Sequence, residues 1–319
     1  MRSSTVRGLW IAAAVVLAGL GFWKMGERSL AGLGQPKFFR HTKSPAKDIR
    51  EIQVARSGEI LILKRGEHWE LTSPEIYKAD SNQAEEAVSA LAQAKLEERV
   101  SSRPEALGDF DLLGGKAIGL SVKDEKGRVL AAGRLGKVVT GSFERTYFTL
   151  EGSSEVHILR LARYHFDRGA NDWKDRVIVE IAPSDIVSLD IRKGDARSYL
   201  EVKGSSWTVN GKIANQEKAR DLVNALSRFE ASEFASTSEA ADPAKLGLGA
   251  KPKELSLSIR RRAGPADTLR IGALKDSMYY AQIAGKPTVW KVSEWRVRSI
   301  SVKPADLEAS PSKSSKTKS

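Results

Sequence analysis

The sequence contains the same series of landmarks twice, and this internal repeat most limits the folds that the chain can adopt. The landmarks are a tryptophan, an apolar helical motif, a hydrophobic–glycine dipeptide and a tyrosine-to-glycine segment. The pairs are Trp69 and Trp207, Val88–Leu91 and Val223–Leu226, Leu135-Gly136 and Ile271-Gly272, and Tyr147–Gly152 and Tyr280–Gly285. Because the pairs keep their order and nearly their separation, we interpret them as two copies of one supersecondary unit.

Each copy combines short alternating runs of apolar and polar residues, which predict strands, with one longer helical segment. The first helix is predicted from about Asp80 to Leu96, with Asp80 or Asn82 as its cap and Glu85 placed as in a capping box. The second helix is predicted from Asn215 to about Phe229.

Residues 8–23 are 16 consecutive residues without a charge. As a helix they would span roughly 24 Å, against about 30 Å for the hydrocarbon core of a bilayer. Snorkelling by Arg7 and Lys24 would lengthen the span. We therefore predict a transmembrane anchor at 8–25.

Two other interpretations of this segment have less support. A cleaved signal peptide needs small residues soon after the apolar run, and Ser29-Leu30-Ala31 fits that pattern but lies behind several charges. A buried core helix would need a polar face, which the segment lacks. The orientation is open: the count of positive charges places the body in the cytoplasm, whereas a short N-terminal head is typical of a body outside it. We expect a bacterial inner or cell membrane protein with an extracytoplasmic body.

The absence of cysteine excludes disulfides, thiolate catalysis and zinc–thiolate or iron–sulfur sites. The formal net charge of +12 would suit a nucleic acid, but residues 1–50 hold nine basic residues against two acidic ones. The excess charge therefore suits anionic lipid headgroups better than a duplex. We predict contact with a membrane and no nucleic-acid partner.

The predicted fold class is α+β, with two tandem repeats of an antiparallel-rich sheet carrying one principal helix each, preceded by one transmembrane helix. The predicted segments are a head at 1–7, the anchor at 8–25, a linker at 26–47, the first repeat at 48–182, the second repeat at 183–302 and a disordered basic tail at 303–319.

The histidines and glycines do not have the spacing of a reactive site. The four histidines are His41, His68, His157 and His165. The repeat pairs His157 with Trp290, which favours a packing role, while Gly114-Gly115 and Gly247-x-Gly249 lack the following helix of a phosphate-binding loop. We predict no catalytic residue, no cofactor-binding residue, no metal ligand and no cofactor.

Two sets of side chains remain as candidates for binding. Arg260-Arg261-Arg262 is either a solvated turn or a contact for an acidic partner or a lipid headgroup, and it lacks interleaved aromatic residues. Trp69 and Trp207 are predicted core anchors. Trp290 and Trp295 flank the last strand, where an exposed aromatic groove for a peptide or glycan is the alternative.

The order of these motifs resembles a bacterial membrane-anchored family of unknown function, a tandem-repeat domain found beside ABC-type or gliding-motility-associated transporter components. The resemblance spans roughly residues 49–300. It is carried by Trp69, Phe110-Asp111-Leu112, Leu135-Gly136, Tyr147, Gly152 and Val156, and by Trp207, Leu246-Gly247-Leu248, Ile271-Gly272, Tyr280, Gly285 and Val289. The first copy departs from the family pattern, since Leu112-Leu113-Gly114 stands where Gly-Leu is preferred. The resemblance implies a fold and a setting but no reaction.

We therefore expect a non-enzymatic accessory or scaffold protein of a membrane assembly, which the resemblance associates with an ABC-type transporter. The alternative is an extracytoplasmic ligand-binding module for cell-wall glycan or peptide, and an enzyme of unrecognised class is the third possibility. A scaffold predicts an exposed apolar patch, a ligand module a concave aromatic-lined pocket, and an enzyme convergent groups with perturbed pKa values. The oligomeric state is open.

Overall fold

The structure is a computed structural model that describes residues 37–40, 42 and 44–309. The chain divides into two compact units between Asp175 and Arg176. The predicted head and anchor lie outside the described residues. Within the described ranges, no helix is long and apolar enough to cross a membrane.

The predicted fold class, α+β with a preceding transmembrane helix, is wrong. The protein is mostly β-sheet, with 42% strand and 23% helix, and has two large antiparallel sheets. Several strands escaped prediction because they are too short or too polar to alternate; one of them, Lys95–Ser101, begins inside the predicted first helix.

The first unit contains a nine-stranded antiparallel sheet within the described residues. Its strands are β1 (Glu51–Arg56), β2 (Glu59–Arg65), β3 (Trp69–Ser73), β4 (Tyr77–Lys78), β5 (Lys95–Ser101), β6 (Ile118–Lys123), β7 (Val129–Val138), β8 (Arg145–Leu150) and β9 (Val156–Arg160). Its helices are α1 (Pro45–Asp48), α2 (Ser81–Gln93), α3 (Ala106–Asp109) and α4 (Ala170–Trp173). The spatial order is β4-β3-β2-β1-β6-β7-β8-β9-β5.

The second unit has a nine-stranded sheet in its described part and a separate two-stranded ribbon. The strands are β10 (Val177–Glu180), β11 (Ile186–Lys193), β12 (Ala196–Lys203), β13 (Ser206–Val209), β14 (Lys212–Ile213), β15 (Arg228–Glu230), β16 (Glu233–Phe234), β17 (Leu255–Arg261), β18 (Asp267–Lys275), β19 (Met278–Ile283) and β20 (Trp290–Ser293). The helices are α5 (Gln216–Ser227), α6 (Thr237–Ala240), α7 (Glu294–Ile300) and α8 (Pro304–Leu307). The sheet order is β14-β13-β12-β11-β17-β18-β19-β20-β16, and β10 pairs with β15.

The long helix of each unit begins at a side-chain cap and buries one apolar face. Asp80 accepts hydrogen bonds from the backbone N–H groups of helix α2, and Asn215 does the same for α5. Such caps satisfy N–H groups that have no partner inside the helix. The buried residues of the two helices are Ala84, Ala87, Val88 and Leu91, and Ala219, Leu222, Val223 and Leu226.

The main apolar core of each unit joins this helix to one face of the sheet, which we call the inner face. The opposite face is the outer face. Phe38, within the predicted linker, belongs to the first core, and its ring centroid lies 5.5 Å from that of Phe148. The folded body therefore includes part of the segment that the sequence assigned to the linker.

The two units close in the same way at their C-terminal ends. The N–H of Asp80 donates to the carbonyl of Trp173, and the N–H of Asn215 donates to that of Leu307, each at 2.8 Å. Trp173 and Leu307 are both fully buried. Helix α8 and its buried Leu307 thus lie inside the segment 303–319 that was predicted as a tail.

Candidate functional site

The hydrophobic–glycine dipeptides mark the point where a loop presses on the outer face of each sheet. A Cβ atom at Gly136 would lie 2.1 Å from the carbonyl oxygen of Phe110, and one at Gly272 would lie 2.2 Å from that of Leu246. The next residue of each strand donates its N–H to the same oxygen, at 3.0 Å and 2.8 Å. Glycine is therefore required by the close approach of two backbones.

Each loop covers a small apolar cluster on the outer face. The first consists of Leu107, Leu112 and Val156, with Phe110 and Tyr147 packed against them. The second consists of Leu248, Tyr280 and Val289, with Ala235, Ala240 and Leu246 packed against them.

A comparison with known protein families matches residues 69–251 to the family described as a domain of unknown function, DUF4340. The chain belongs to this family. A search of the curated proteins and a search of the solved structures found no match. Membership in this family therefore does not assign an activity.

The motif by which the sequence resembled a family has a structural explanation in this DUF4340 chain. Gly247 has a φ of 73°, and a Cβ there would lie 2.8 Å from that of Lys253. In the first unit Asp111 occupies the corresponding place with a φ of 54°. The first copy, which lacks the preferred Gly-Leu, thus keeps the left-handed backbone by using aspartate, a residue that tolerates it.

The most strongly perturbed titratable groups of the described residues surround Glu239. The hydroxyl of Tyr280 donates to Oε1 at 2.7 Å, the N–H of Ser236 donates to Oε2 at 2.9 Å, and Lys291 Nζ lies 3.1 Å from Oε2. Hydrogen bonds from Tyr280, Ser236 and Lys291 lower the pKa of Glu239 to about 2. The bond to Glu239, together with burial, raises the pKa of Tyr280 to about 12.

These shifts argue against acid–base catalysis at Glu239. A general acid or base is most effective when its pKa lies near the working pH. Here the carboxylate stays ionised and the phenol stays neutral across the physiological range. The polar contacts of Glu239 instead join α6 to β19 and β20, and they hold the loop over the second apolar cluster.

We expect Glu239→Gln to have a lower melting temperature than wild type at pH 7. This difference should disappear in acid. The folded-state pKa of about 2 lies below the ordinary value of 4.5. The stability that Glu239 contributes is therefore fully present above about pH 4.5 and is lost as the pH falls through about 2. Thermal unfolding at pH 7, 4 and 2 measures this difference. Glu233→Gln, at an exposed carboxylate, is the control, and a pH-independent gap between wild type and Glu239→Gln would contradict the argument.

Three of the four histidines, His68, His157 and His165, lie within the described residues, and His68 is exposed. His157 is buried on β9, and its Nε2 lies 3.3 Å from Glu155 Oε2. The ring of His165 lies 4.1 Å from that of Tyr164, and burial together with the charge of Arg168 lowers its pKa. His41 lies outside the described residues. In the described part of the chain no group of three or more His, Asp or Glu residues is arranged to hold a metal ion.

The structure separates the side chains of the arginine triplet. Arg261 pairs with Asp267. Arg262 donates its backbone N–H to the carbonyl of Asp185 at 2.7 Å and its Nη2 to that of Ser184 at 3.2 Å. Arg260 remains exposed on the outer face of the second sheet. The triplet is therefore not a single cationic patch.

The tryptophans of the described residues divide between core and surface. Trp69 is fully buried and donates Nε1–H to Glu85 at 2.7 Å. Trp290 is buried in the second core, whereas Trp207 is partly buried against it. Trp295 is exposed, and the guanidinium of Arg296 lies 4.8 Å from its ring centroid.

The outer face of the second sheet carries an uninterrupted row of polar side chains across five adjacent strands. Strand pairing places these residues side by side in the order Arg197, Arg192, Ser256, Arg270 and Gln282. We call this set the arginine row. The neighbouring row is Tyr199, Asp190, Ser258 and Thr268.

The corresponding positions of the first sheet carry mainly small or apolar residues. The arginine row corresponds by strand register to Ile60, Ala55, Gly119, Arg134 and Thr149. The neighbouring row corresponds to Ile62, Gln53, Ser121 and Ala132. Since the first unit builds the same sheet with Ala55 and Ile60 in place of Arg192 and Arg197, the fold does not require this arginine pair. The arginine row is therefore the strongest candidate for a functional surface.

Sequence reasoning missed this surface because its members lie far apart in the chain. Arg192 and Arg197 are joined by a hairpin, but Ser256 and Arg270 reach them only through the pairing of β11 with β17 and of β17 with β18. A signal was available: aligning the two copies strand by strand sets Arg192 and Arg197 against Ala55 and Ile60.

Proposed function

We propose that this chain is a non-enzymatic accessory or scaffold protein of a membrane assembly, associated with an ABC-type transporter on the outer side of the cell membrane. The observation that carries the proposal is the arginine row, in which Arg192 and Arg197 stand where the first sheet has Ala55 and Ile60 and are therefore not needed for folding. Arginine and tyrosine are enriched at protein–protein interfaces, where they supply much of the binding energy.

A binding role also agrees with the structural roles of the residues whose pKa values are shifted and of the motif glycines. The hydrogen bond between Glu239 and Tyr280 keeps both pKa values far from neutral pH, and the motif glycines allow the close contact between loop and sheet. These residues act within the fold. The association with a transporter rests on the resemblance of the motif order to a family found beside transporter components.

The test is affinity purification of the tagged full chain from native membranes in mild detergent, followed by mass spectrometry. We expect stoichiometric recovery of the ATP-binding and membrane-spanning subunits of a transporter. Untagged membranes taken through the same steps provide the control. Recovery of the protein alone, under conditions that keep known transporter complexes intact, would overturn the role as a stable subunit.

A further inference from the structure

We infer that the arginine row binds an acidic, extended segment of a partner protein. This inference rests on the proposed function and deepens it by naming the chemistry of the partner. Gln282, at the β19 end of the row, is buried, so the part open to a partner runs from Arg197 to Arg270 across four strands, a distance of about 14 Å at roughly 4.8 Å between strands. An extended peptide of about four residues covers that length at roughly 3.3 Å per residue.

Asp190 holds two of the arginines in place above the sheet. Arg197 donates Nε–H to Oδ1 at 2.8 Å and Nη2–H to Oδ2 at 3.0 Å, and Arg192 donates Nη2–H to Oδ2 at 3.0 Å. The Asp190 side chain is 18% exposed, whereas those of Arg192 and Arg197 are 59% and 57% exposed. The carboxylate thus lies beneath the two guanidinium groups, which face outward.

One carboxylate cannot neutralise this row. Arg192, Arg197 and Arg270 carry three positive charges, and Asp190 supplies one negative charge, so the surface keeps an excess of positive charge. Burial raises the pKa of the Asp190 carboxyl, but the hydrogen bonds and charges of Arg197 and Arg192 together outweigh burial and lower the pKa below its ordinary value, so the group stays ionised. A guanidinium has five N–H donors, and Asp190 takes two from Arg197 and one from Arg192. The remaining donors of these exposed side chains are accessible to a ligand.

The middle of the row leaves room for a bound chain. Ser256 of the row and Ser258 of the neighbouring row, between the arginine pair and β18, have short side chains and are half-buried. Arg270, on the far side of Ser256, donates Nη1–H to the carbonyl of Leu248 at 3.3 Å. The loop that carries Leu248 therefore borders the row.

Carboxylate is the anion that this geometry matches best. The bidentate contact of Arg197 with Asp190 shows within the molecule that a carboxylate fits the guanidinium fork here. Guanidinium groups are weakly hydrated and therefore suited to buried ion pairs at interfaces. A single-stranded nucleic acid would instead need a series of stacking rings. The row beside the arginines contains one ring, that of Tyr199.

The test measures binding of a fluorescein-labelled glutamate-rich peptide of about ten residues to the purified full chain in nonionic detergent by fluorescence anisotropy. Arg192→Ala/Arg197→Ala removes the paired arginines. Lys218→Ala/Arg220→Ala removes the same charge from exposed positions on α5 and is the matched control. Arg192→Lys/Arg197→Lys keeps the charge and removes the planar forks.

We expect Kd for the peptide to rise at least about tenfold in Arg192→Ala/Arg197→Ala and to stay within about twofold in the control. The lysine variant should also weaken binding, because a point charge cannot make the bidentate contact. Thermal unfolding checks that each variant remains folded.

Two results would overturn the inference. One is equal weakening in the alanine variant and in the α5 control, which would mean nonspecific attraction to net charge. The other is absence of peptide binding while vesicles containing phosphatidylserine bind in a manner that needs Arg192 and Arg197, which would assign the row to lipid. Recovery of transporter subunits with no peptide binding would remove this inference alone, whereas peptide binding without recovered subunits would remove the transporter role.

Discussion

Gly272→Ala is expected to destabilise the second unit by about 3 kcal/mol. The added Cβ would lie 2.2 Å from the carbonyl oxygen of Leu246, and the side chain of Leu248 lies 3.1 Å from the same point. The oxygen cannot withdraw freely, because it accepts the N–H of Ala273 at 2.8 Å. Overpacking costs about 1–3 kcal/mol, and loss of the hydrogen bond adds about 0.5–1.5 kcal/mol.

The matched control is Gly249→Ala, in the same loop. A Cβ at Gly249 would meet nothing within 4 Å, and its φ lies outside the left-handed region. We expect that substitution to be neutral or slightly stabilising, because alanine restricts the unfolded chain. Urea unfolding measures the free energy of unfolding of both variants, and hydrogen exchange of strand β18 measures the local effect. Equal stability of the two would show that the loop does not press on the sheet as closely as the distances state.

The local patterns of the sequence located the two long helices but misjudged the balance between helix and sheet. The helix predicted from about Asp80 to Leu96 is observed at Ser81–Gln93, since an amphipathic face and a cap are local signals. Strand β5 followed it unrecognised, because edge strands exposed to solvent need not alternate. The two-residue strands Tyr77–Lys78 and Lys212–Ile213 are too short to show any period. All three lie at the edges of the two nine-stranded sheets.

The candidate surface was harder to predict than the fold for a related reason. A sequence displays Arg192 and Arg197 as ordinary polar residues of a hairpin, and Arg270 as one more arginine far along the chain. Only the register of three strand pairs brings these arginines into one row. Register is set by nonlocal pairing, which single-sequence periodicity does not contain.

Leu307→Ala is expected to destabilise the second unit by about 3 kcal/mol, although the sequence placed this residue in a disordered tail. The Leu307 side chain is 0% exposed and belongs to the second core. Replacing a buried leucine with alanine costs about 2–5 kcal/mol, because the apolar contacts are lost and a cavity remains. The carbonyl of Leu307 also accepts the N–H of Asn215, the residue that caps α5.

The control is Leu274→Ala, which makes the same chemical change at a leucine that is 47% exposed. That variant should lie within about 0.5 kcal/mol of wild type, as surface substitutions do. Hydrogen exchange of helix α5 reports the difference directly, because α8 packs beside it and fixes its first turn. Faster exchange in Leu307→Ala alone would establish 304–308 as the closing element of the unit. Unchanged exchange would mean that the segment belongs to a disordered tail, as its charged sequence with few apolar residues predicts.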